Sequence, residues 1–166
     1  MTLTNNINFN GPLGNCCPDN EPASSVTIHS MYASNTIGTA ITVLLGGATN
    51  ITLPSNQSLD GFIANGTNTI FTIPETGRYY LTYQINTTAS LGIGAGSRLL
   101  RNGSTAIPGS IVRPIVSTAT FNNDLITNFT AGNTVSLQLF SSILLTATLL
   151  STAGSVGAAL TIIRIE

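Results

Sequence analysis

Two adjacent cysteines, Cys16 and Cys17, have the most reactive side chains in this chain, and there is no third cysteine. Neighbouring Cα atoms lie about 3.8 Å apart across a trans peptide, below the usual disulfide range of roughly 4.4–6.8 Å. A bond between the two would therefore be strained, and an unstrained disulfide would have to join one chain to another. Two interpretations stay open: disulfides between copies, or thiols that remain reduced or bind a metal ion.

Few other side chains in the sequence could take part in catalysis. His29 is the only histidine, which excludes a two-histidine metal site within one chain. The carboxylates are scattered along the sequence, with no spacing that suggests acid–base work. The glycine-rich stretch Gly92–Ser97 precedes no predicted helix that could bind a phosphate. A Cys–His pair would need Cys16 or Cys17 held rigidly beside His29. We predict a protein that is not an enzyme and has no catalytic, cofactor or metal site.

Charged residues make up only 7% of the 166 residues, against about 25% in ordinary soluble domains. There is no lysine, and the formal net charge is −1. These numbers exclude nucleic acid as a partner, because its recognition needs clustered basic residues. A surface with so few charges resists association poorly, which indicates self-association unless the composition only reflects a bias of the source organism.

We predict neither a membrane span nor a conventional signal peptide. No apolar run approaches the roughly 20 residues that cross a bilayer, so membrane insertion is not expected. The start, MTLTNNINFN, lacks the basic and apolar regions of a secretory signal.

The chain divides into residues 1–24 and residues 25–166. The first part is dominated by Asn, Gly and Pro, and we predict an extended arm that lies outside any packed core. Ile7 and Phe9 lie two residues apart, on one side of an extended strand, and are candidates for docking onto another copy. The second part is long enough to build one self-sufficient core.

Residues 25–166 have an all-β pattern without helical periodicity. Runs rich in Thr, Val, Ile, Leu and Tyr alternate with turn clusters, among them NND at residues 122–124 and the hairpin signals Asn65-Gly66 and Asn102-Gly103. Pro114 cannot donate a ladder hydrogen bond, so its strand is expected at an edge or with a bulge. The predicted fold is a two-sheet jelly roll of about ten strands. The predicted strands are Val26–Ala33, Ala40–Leu45, Asn50–Leu53, Asn68–Ile73, Arg78–Asn86, Ser97–Leu100, Ile111–Phe121, Thr134–Ser141, Ile143–Leu150 and Ala158–Glu166.

Two of these strands alternate clearly. In RYYLTYQIN, Tyr79, Leu81, Tyr83 and Ile85 share one face, and polar residues share the other. Tyr80 interrupts the polar face of this strand, and Phe140 does the same in TVSLQLFS. Each of the two aromatic side chains is either a lone surface hydrophobe or a contact residue for another subunit.

The stretch IFTIPETGRYYLTYQI (70–85) resembles a signature of the complement globular-head and tumour-necrosis-factor superfamily. AGNTVSLQL (131–139) and ALTIIRIE (159–166) are similar to later strands of that family. The chain is also similar to the head domains of collagen-like exosporium glycoproteins from spore-forming bacilli, in NGSTAIPGS and in the ending SVGAALTIIRIE. The resemblance covers residues 37–166 and implies a ten-strand jelly roll that forms a homotrimer. Residues 1–36 contain no Gly-X-Y repeat.

The resemblance implies a structural protein of a spore surface. We expect homotrimers that bury uncharged sheet faces in one another and link head to tail into a fibre through the arm. Other spore-surface proteins are possible further partners. Two alternatives stay open: a trimeric head that binds a receptor or a glycan, and the head of a viral or phage fibre.

Overall fold

Thirteen β-strands and no helix make up the part of the chain that the structure, a computed structural model, describes: residues 29–166. The predicted arm, with Ile7, Phe9, Cys16 and Cys17, lies outside the described residues. The strands are β1 Ser30–Asn35, β2 Ala40–Val43, β3 Ala48–Asn50, β4 Ser55–Ser58, β5 Ile63–Ala64, β6 Phe71–Thr72, β7 Gly77–Leu91, β8 Ala95–Arg101, β9 Thr105–Ala106, β10 Thr118–Phe129, β11 Thr134–Ser141, β12 Leu145–Thr148 and β13 Ala158–Arg164. Three of them, β5, β6 and β9, have two residues each. The ten strands predicted from the sequence do not include β4, β5 and β9.

The first sheet has five antiparallel strands in the order β10-β7-β13-β1-β4. Its longest pair, β7 and β10, runs from Gly77 opposite Phe129 to Leu91 opposite Thr118. The predicted alternation is confirmed in β7, where Tyr79, Leu81, Tyr83 and Ile85 point into the core and are at most 2% exposed. This follows from the pleat, which sends successive side chains to opposite faces.

The second sheet has six strands. Five of them follow one another in the order β5-β6-β11-β8-β9. The sixth, β3, pairs with β11 on the same side as β6 but further along the strand. A separate two-stranded ribbon, β2 with β12, contacts both sheets and carries the buried residues Ile41, Val43, Leu145 and Ala147. Because this ribbon bridges the sheets, it closes one end of the hydrophobic core between them. The architecture is a two-sheet jelly roll, as predicted.

The two ends of the sandwich differ, and we name them by position. The proximal end is where residue 29 lies: His29 O accepts a hydrogen bond from Arg164 N, and Glu166 O accepts one from Arg78 N. At the distal end Leu91 pairs with Thr118 and Ala95 pairs with Ser141. The connection from β7 to β8 crosses between the sheets at this distal end.

The predicted strands Asn50–Leu53 and Ile111–Phe121 are wrong over most of their length. The first shares only Asn50 with β3, and the second shares only its last four residues with β10. Residues 111–117 form a loop that contains Pro114, and the residues 122–124, predicted as a turn, lie in the middle of β10. Asn and Asp are usually depleted in strands and favour turns. The preference of a residue for a strand depends on its surroundings, however, and β10 is an edge strand that is paired on one side only. The inward amide of Asn123 is satisfied there, because its Nδ2 donates a hydrogen bond of 2.8 Å to Gly109 O. A partly buried amide that finds such a partner costs little.

Both predicted hairpins are present, although one turns at a different residue. Asn102 and Gly103 have φ values of 51° and 72°, as the connection between β8 and β9 requires in a type I′ turn. In the loop between β5 and β6 the positive φ belongs to Asn68, at 53°, and not to Asn65-Gly66.

A polar network crosses the core beneath β7. The Tyr83 hydroxyl donates a hydrogen bond of 2.7 Å to Ser110 O and lies 3.0 Å from Ser97 Oγ. Ser110 Oγ in turn donates to Ile107 O at 2.7 Å and accepts from Leu99 N at 3.0 Å. Burial raises the pKa of Tyr83 above its ordinary value of 10.0, against a smaller lowering by the Ser97 hydrogen bond. Burial likewise raises the pKa of Tyr79.

These two phenols predict a loss of stability on the alkaline side. Above about pH 10 the phenols of the unfolded chain lose protons that the folded chain retains, so the free energy of unfolding falls as the pH rises. Below that pH both states carry the neutral phenol, and these groups give no pH dependence. Urea unfolding at several pH values is expected to show a midpoint that declines from about pH 10 upward. A midpoint that is unchanged well above pH 10 would contradict this, and Tyr83→Phe is expected to flatten part of the decline.

Candidate assembly interface

The outward face of the first sheet is broad and nearly uncharged. Its residues sit opposite one another in cross-strand rows, because the registers of β10, β7, β13 and β1 continue without a shift through the centre of the sheet. The central positions are Tyr32, Tyr80, Thr82, Gln84, Asn122, Asp124, Ile126, Ala159, Thr161 and Ile163. Asp124 carries the only formal charge among them.

One of these rows is apolar across three strands. Ile126 of β10 faces Tyr80 of β7, and Tyr80 faces Ile163 of β13. Ile126 is 50% exposed, and Tyr80 and Ile163 are partly buried. Cross-strand pairs of aromatic and β-branched residues stabilise a sheet. Here they also leave a continuous apolar stripe on the outward side of the sheet.

The next rows form a shallow hollow with hydroxyl and amide groups around it. The cavity has a volume of about 370 Å³, and Tyr32, Gln84, Asn122, Asp124 and Thr161 are among the residues that line it. Such groups can be buried at little cost when they find partners, whereas an unpaired buried charge costs several kcal/mol. Apart from the Asp124 carboxylate, the hollow and the stripe therefore suit burial against another protein surface.

The two aromatic residues predicted to contact another subunit lie in different places. Tyr80 is on the outward stripe just described. Phe140 is at the distal end of the second sheet and only 8% exposed, and the guanidinium groups of Arg98 and Arg113 lie 5.1 and 4.8 Å from its ring centroid. A second copy at this place would meet the arginines first. Phe140 as a subunit contact stays a prediction that this geometry does not favour.

Sequence reasoning missed Ile126, Ile163 and Tyr32. Ile126 was missed because the predicted strand ended at Phe121. The turn predicted at residues 122–124 interrupted the alternating pattern that would have placed Ile126 on the outward face. In LTIIRI (160–165) the sequence pattern does not indicate which isoleucine side chain faces outward. The signal was present for Ile126 alone, because FNNDLITNF alternates once it is read as a single strand.

Side chains at the proximal end form an ion-pair cluster. Glu75 lies 3.3 Å from both His29 Nε2 and Arg164 Nη1. The single histidine is therefore held by a carboxylate and, at 3.3 Å, by the Asp60 carbonyl. Within residues 29–166 no three His, Cys, Asp or Glu side chains converge in a way that would hold a metal ion. In the same range no helix has the length and apolarity of a membrane span.

Comparisons with known proteins agree with the fold. Murine APRIL and rabbit GITRL are two of the solved structures that share it, both at low sequence identity. Murine APRIL is 14% identical with a TM-score of 0.60, over 82% of this chain and 98% of that chain. Rabbit GITRL is 13% identical with a TM-score of 0.51, over 83% of this chain and 94% of that chain. No curated protein sequence matches significantly.

The tumour-necrosis-factor-like fold is thus confirmed, and a family match makes the assignment narrower. The profile of the family described as BclA C-terminal domain matches residues 31–166, which is most of the chain. It is the family of exosporium head domains that the sequence resembles. The chain belongs to the BclA C-terminal domain family.

Proposed function

We propose that this protein is a structural subunit of a bacterial spore surface, the exosporium, and that it works as a homotrimer. The observation that carries the proposal is the nearly uncharged outward face of the first sheet, with its apolar row Ile126–Tyr80–Ile163. Three copies that bury this face desolvate one carboxylate each, Asp124, and otherwise only groups that can pair with one another. Its family membership supports the location on the spore surface.

We further propose that trimers join head to tail through residues 1–24. The arm enters the body at the proximal end, so Ile7 and Phe9 of one trimer would meet the distal end of the next. A head-to-tail contact of this kind does not close on itself, and it therefore produces a fibre. Cys16 and Cys17 would then form disulfides between chains and fix the arms covalently, since the described body contains no cysteine.

Removing residues 1–15 is expected to leave soluble trimers that form no filaments. The truncation removes Ile7 and Phe9 but keeps both cysteines, so it separates apolar docking from disulfide bonding. Electron microscopy shows whether filaments are present, and light scattering gives the molar mass of the particles. The matched control removes residues 1–5 only and is expected to form filaments like the full chain.

Each result decides between the candidate functions. Filaments grown by the chain without residues 1–15 would contradict docking by the arm. Discrete trimers from the full chain would favour the alternative function, a head or tip module that binds a receptor or a glycan.

A further inference from the structure

Two arginines share one aromatic ring at the distal end. The guanidinium carbons of Arg98 and Arg113 lie 5.1 and 4.8 Å from the centroid of Phe140. They are therefore no more than about 10 Å apart, because each is about 5 Å from the same point. Cation–π contact favours each arginine separately, but it does not remove the repulsion between the two charges.

No described carboxylate compensates this pair. The ion pairs of residues 29–166 both involve Glu75, at the opposite end of the sandwich. Arg98 Nε donates to the neutral amide oxygen of Gln138 at 2.9 Å. Arg113 is exposed, and its contact with the Phe140 ring is the one interaction found for its side chain among the described residues. Two of the five cations of the whole chain are thus placed together without an anion.

A small pocket lies beside these guanidinium groups. Its volume is about 210 Å³, and besides the arginines and Phe140 it is lined by Gly46, Gly47, Gly94, Ser141 and Ser142. The glycines place no side chain in the pocket, and the serines add hydroxyl donors. Planar guanidinium forks match the two oxygens of a carboxylate, and such charge-assisted hydrogen bonds are about twice as strong as neutral ones.

The rim of the pocket is apolar. Leu44 and Leu45 directly precede Gly46, and Ile143 and Leu144 directly follow Ser142; these four side chains are between 47% and 75% exposed. The pairing of Val43 with Leu145 brings the two turns side by side. The distal surface therefore combines a pocket for an anion with an exposed apolar rim.

Charge is distributed unevenly between the two ends. The proximal end holds three arginines and three carboxylates, which balance: Arg78, Arg101, Arg164, Asp60, Glu75 and Glu166. Asp124 lies midway along β10. The two remaining carboxylates of the chain, Asp19 and Glu21, belong to the arm, which joins the body at the proximal end. The two carboxylates of the arm are opposite in sign to the two distal arginines and equal to them in number.

We infer that the Arg98–Arg113 pocket is a carboxylate-binding site whose occupant is the acidic segment Asp19–Glu21 of another copy. The inference rests on the proposed head-to-tail assembly and adds to it the residues that receive the arm. The apolar rim is then covered by the apolar residues of the same arm, Ile7 and Phe9 among them. Seven residues lie between Glu21 and His29, and the eight steps from one Cα atom to the next reach at most about 28 Å, so the segment can extend beyond its own trimer.

The test uses charge reversal in the full chain. Arg98→Glu/Arg113→Glu and Asp19→Arg/Glu21→Arg are each expected to lower the rate of filament growth at least tenfold at low salt. The chain with all four changes is expected to recover growth, since opposite charges meet again. Arg78→Gln, which removes one positive charge at the proximal end, is the control. Light scattering below the concentration at which filaments grow must show trimers for every variant. Failure of the fourfold variant to recover, with trimers intact, would overturn the inference.

A second measurement keeps the inference distinct from the fibre proposal. A fluorescent peptide of residues 1–24, with both cysteines changed to serine, is expected to bind the full chain and to lose at least tenfold in affinity with Arg113→Gln. The Asp19→Asn/Glu21→Gln peptide is expected to show the same loss. Affinity that is independent of these changes would overturn the pocket assignment. If the full chain grows no filaments but the peptide results hold, the fibre proposal fails and the pocket stands.

Discussion

Tyr79→Ala is expected to lower the free energy of unfolding by about 3–5 kcal/mol, a large part of the 5–15 kcal/mol typical of a whole domain. Tyr79 is fully buried, and its ring packs edge to face against Phe62 and Phe129 at centroid distances of 6.2 and 5.8 Å. Truncation therefore opens a cavity between three aromatic rings at the proximal end of the core.

The matched variant is Tyr79→Phe. It keeps the ring and removes only the hydroxyl that donates a hydrogen bond of 2.7 Å to Glu75 O. Its expected cost is about 1 kcal/mol. Urea unfolding at one fixed protomer concentration measures both, because the stability of an oligomer depends on concentration. If the two variants lost the same free energy of unfolding, packing of the Tyr79 ring would not be what stabilises the protein at this position.

In the chain without residues 1–15, which is expected to form no filaments, Ile126→Asp is expected to reduce the molar mass in solution from three protomers to one. Ile126 is half exposed on the outward stripe, so a single folded chain tolerates aspartate there. Three copies that bury the stripe would instead bury three new carboxylates beside three Asp124 side chains, and an unpaired buried ion costs several kcal/mol. Light scattering at micromolar concentration measures the mass.

The control for this substitution is Ile63→Asp. Ile63 is 68% exposed in β5, at the edge of the second sheet and away from the outward stripe. This variant is expected to remain a trimer, and circular dichroism should show the same β content for both. An Ile126→Asp protein that keeps the mass of three protomers would contradict burial of the stripe, and an unsubstituted protein with the mass of one would contradict the trimer itself.

The sequence by itself determined the fold class and the family. Alternation in β7 and β11 is a local property with period two, so the inward residues Tyr79, Leu81, Tyr83 and Ile85 could be identified from the letters alone. Glycine-containing turns such as Asn102-Gly103 are local in the same sense, because the positive φ depends on residue type. The scarcity of charge is a property of composition, and it already indicated self-association.

Only the tertiary structure decided which residues share a surface. Whether residues 122–124 turn or continue as β10 depends on pairing with β7 and on the Asn123 contact with Gly109 O, which lies 14 residues away in sequence. The row Ile126–Tyr80–Ile163 joins three strands that are far apart in the chain. The same holds for Arg98, Arg113 and Phe140, which meet because β8, β11 and the loop before β10 converge at the distal end. Registers between distant strands set these contacts, and no local pattern contains them.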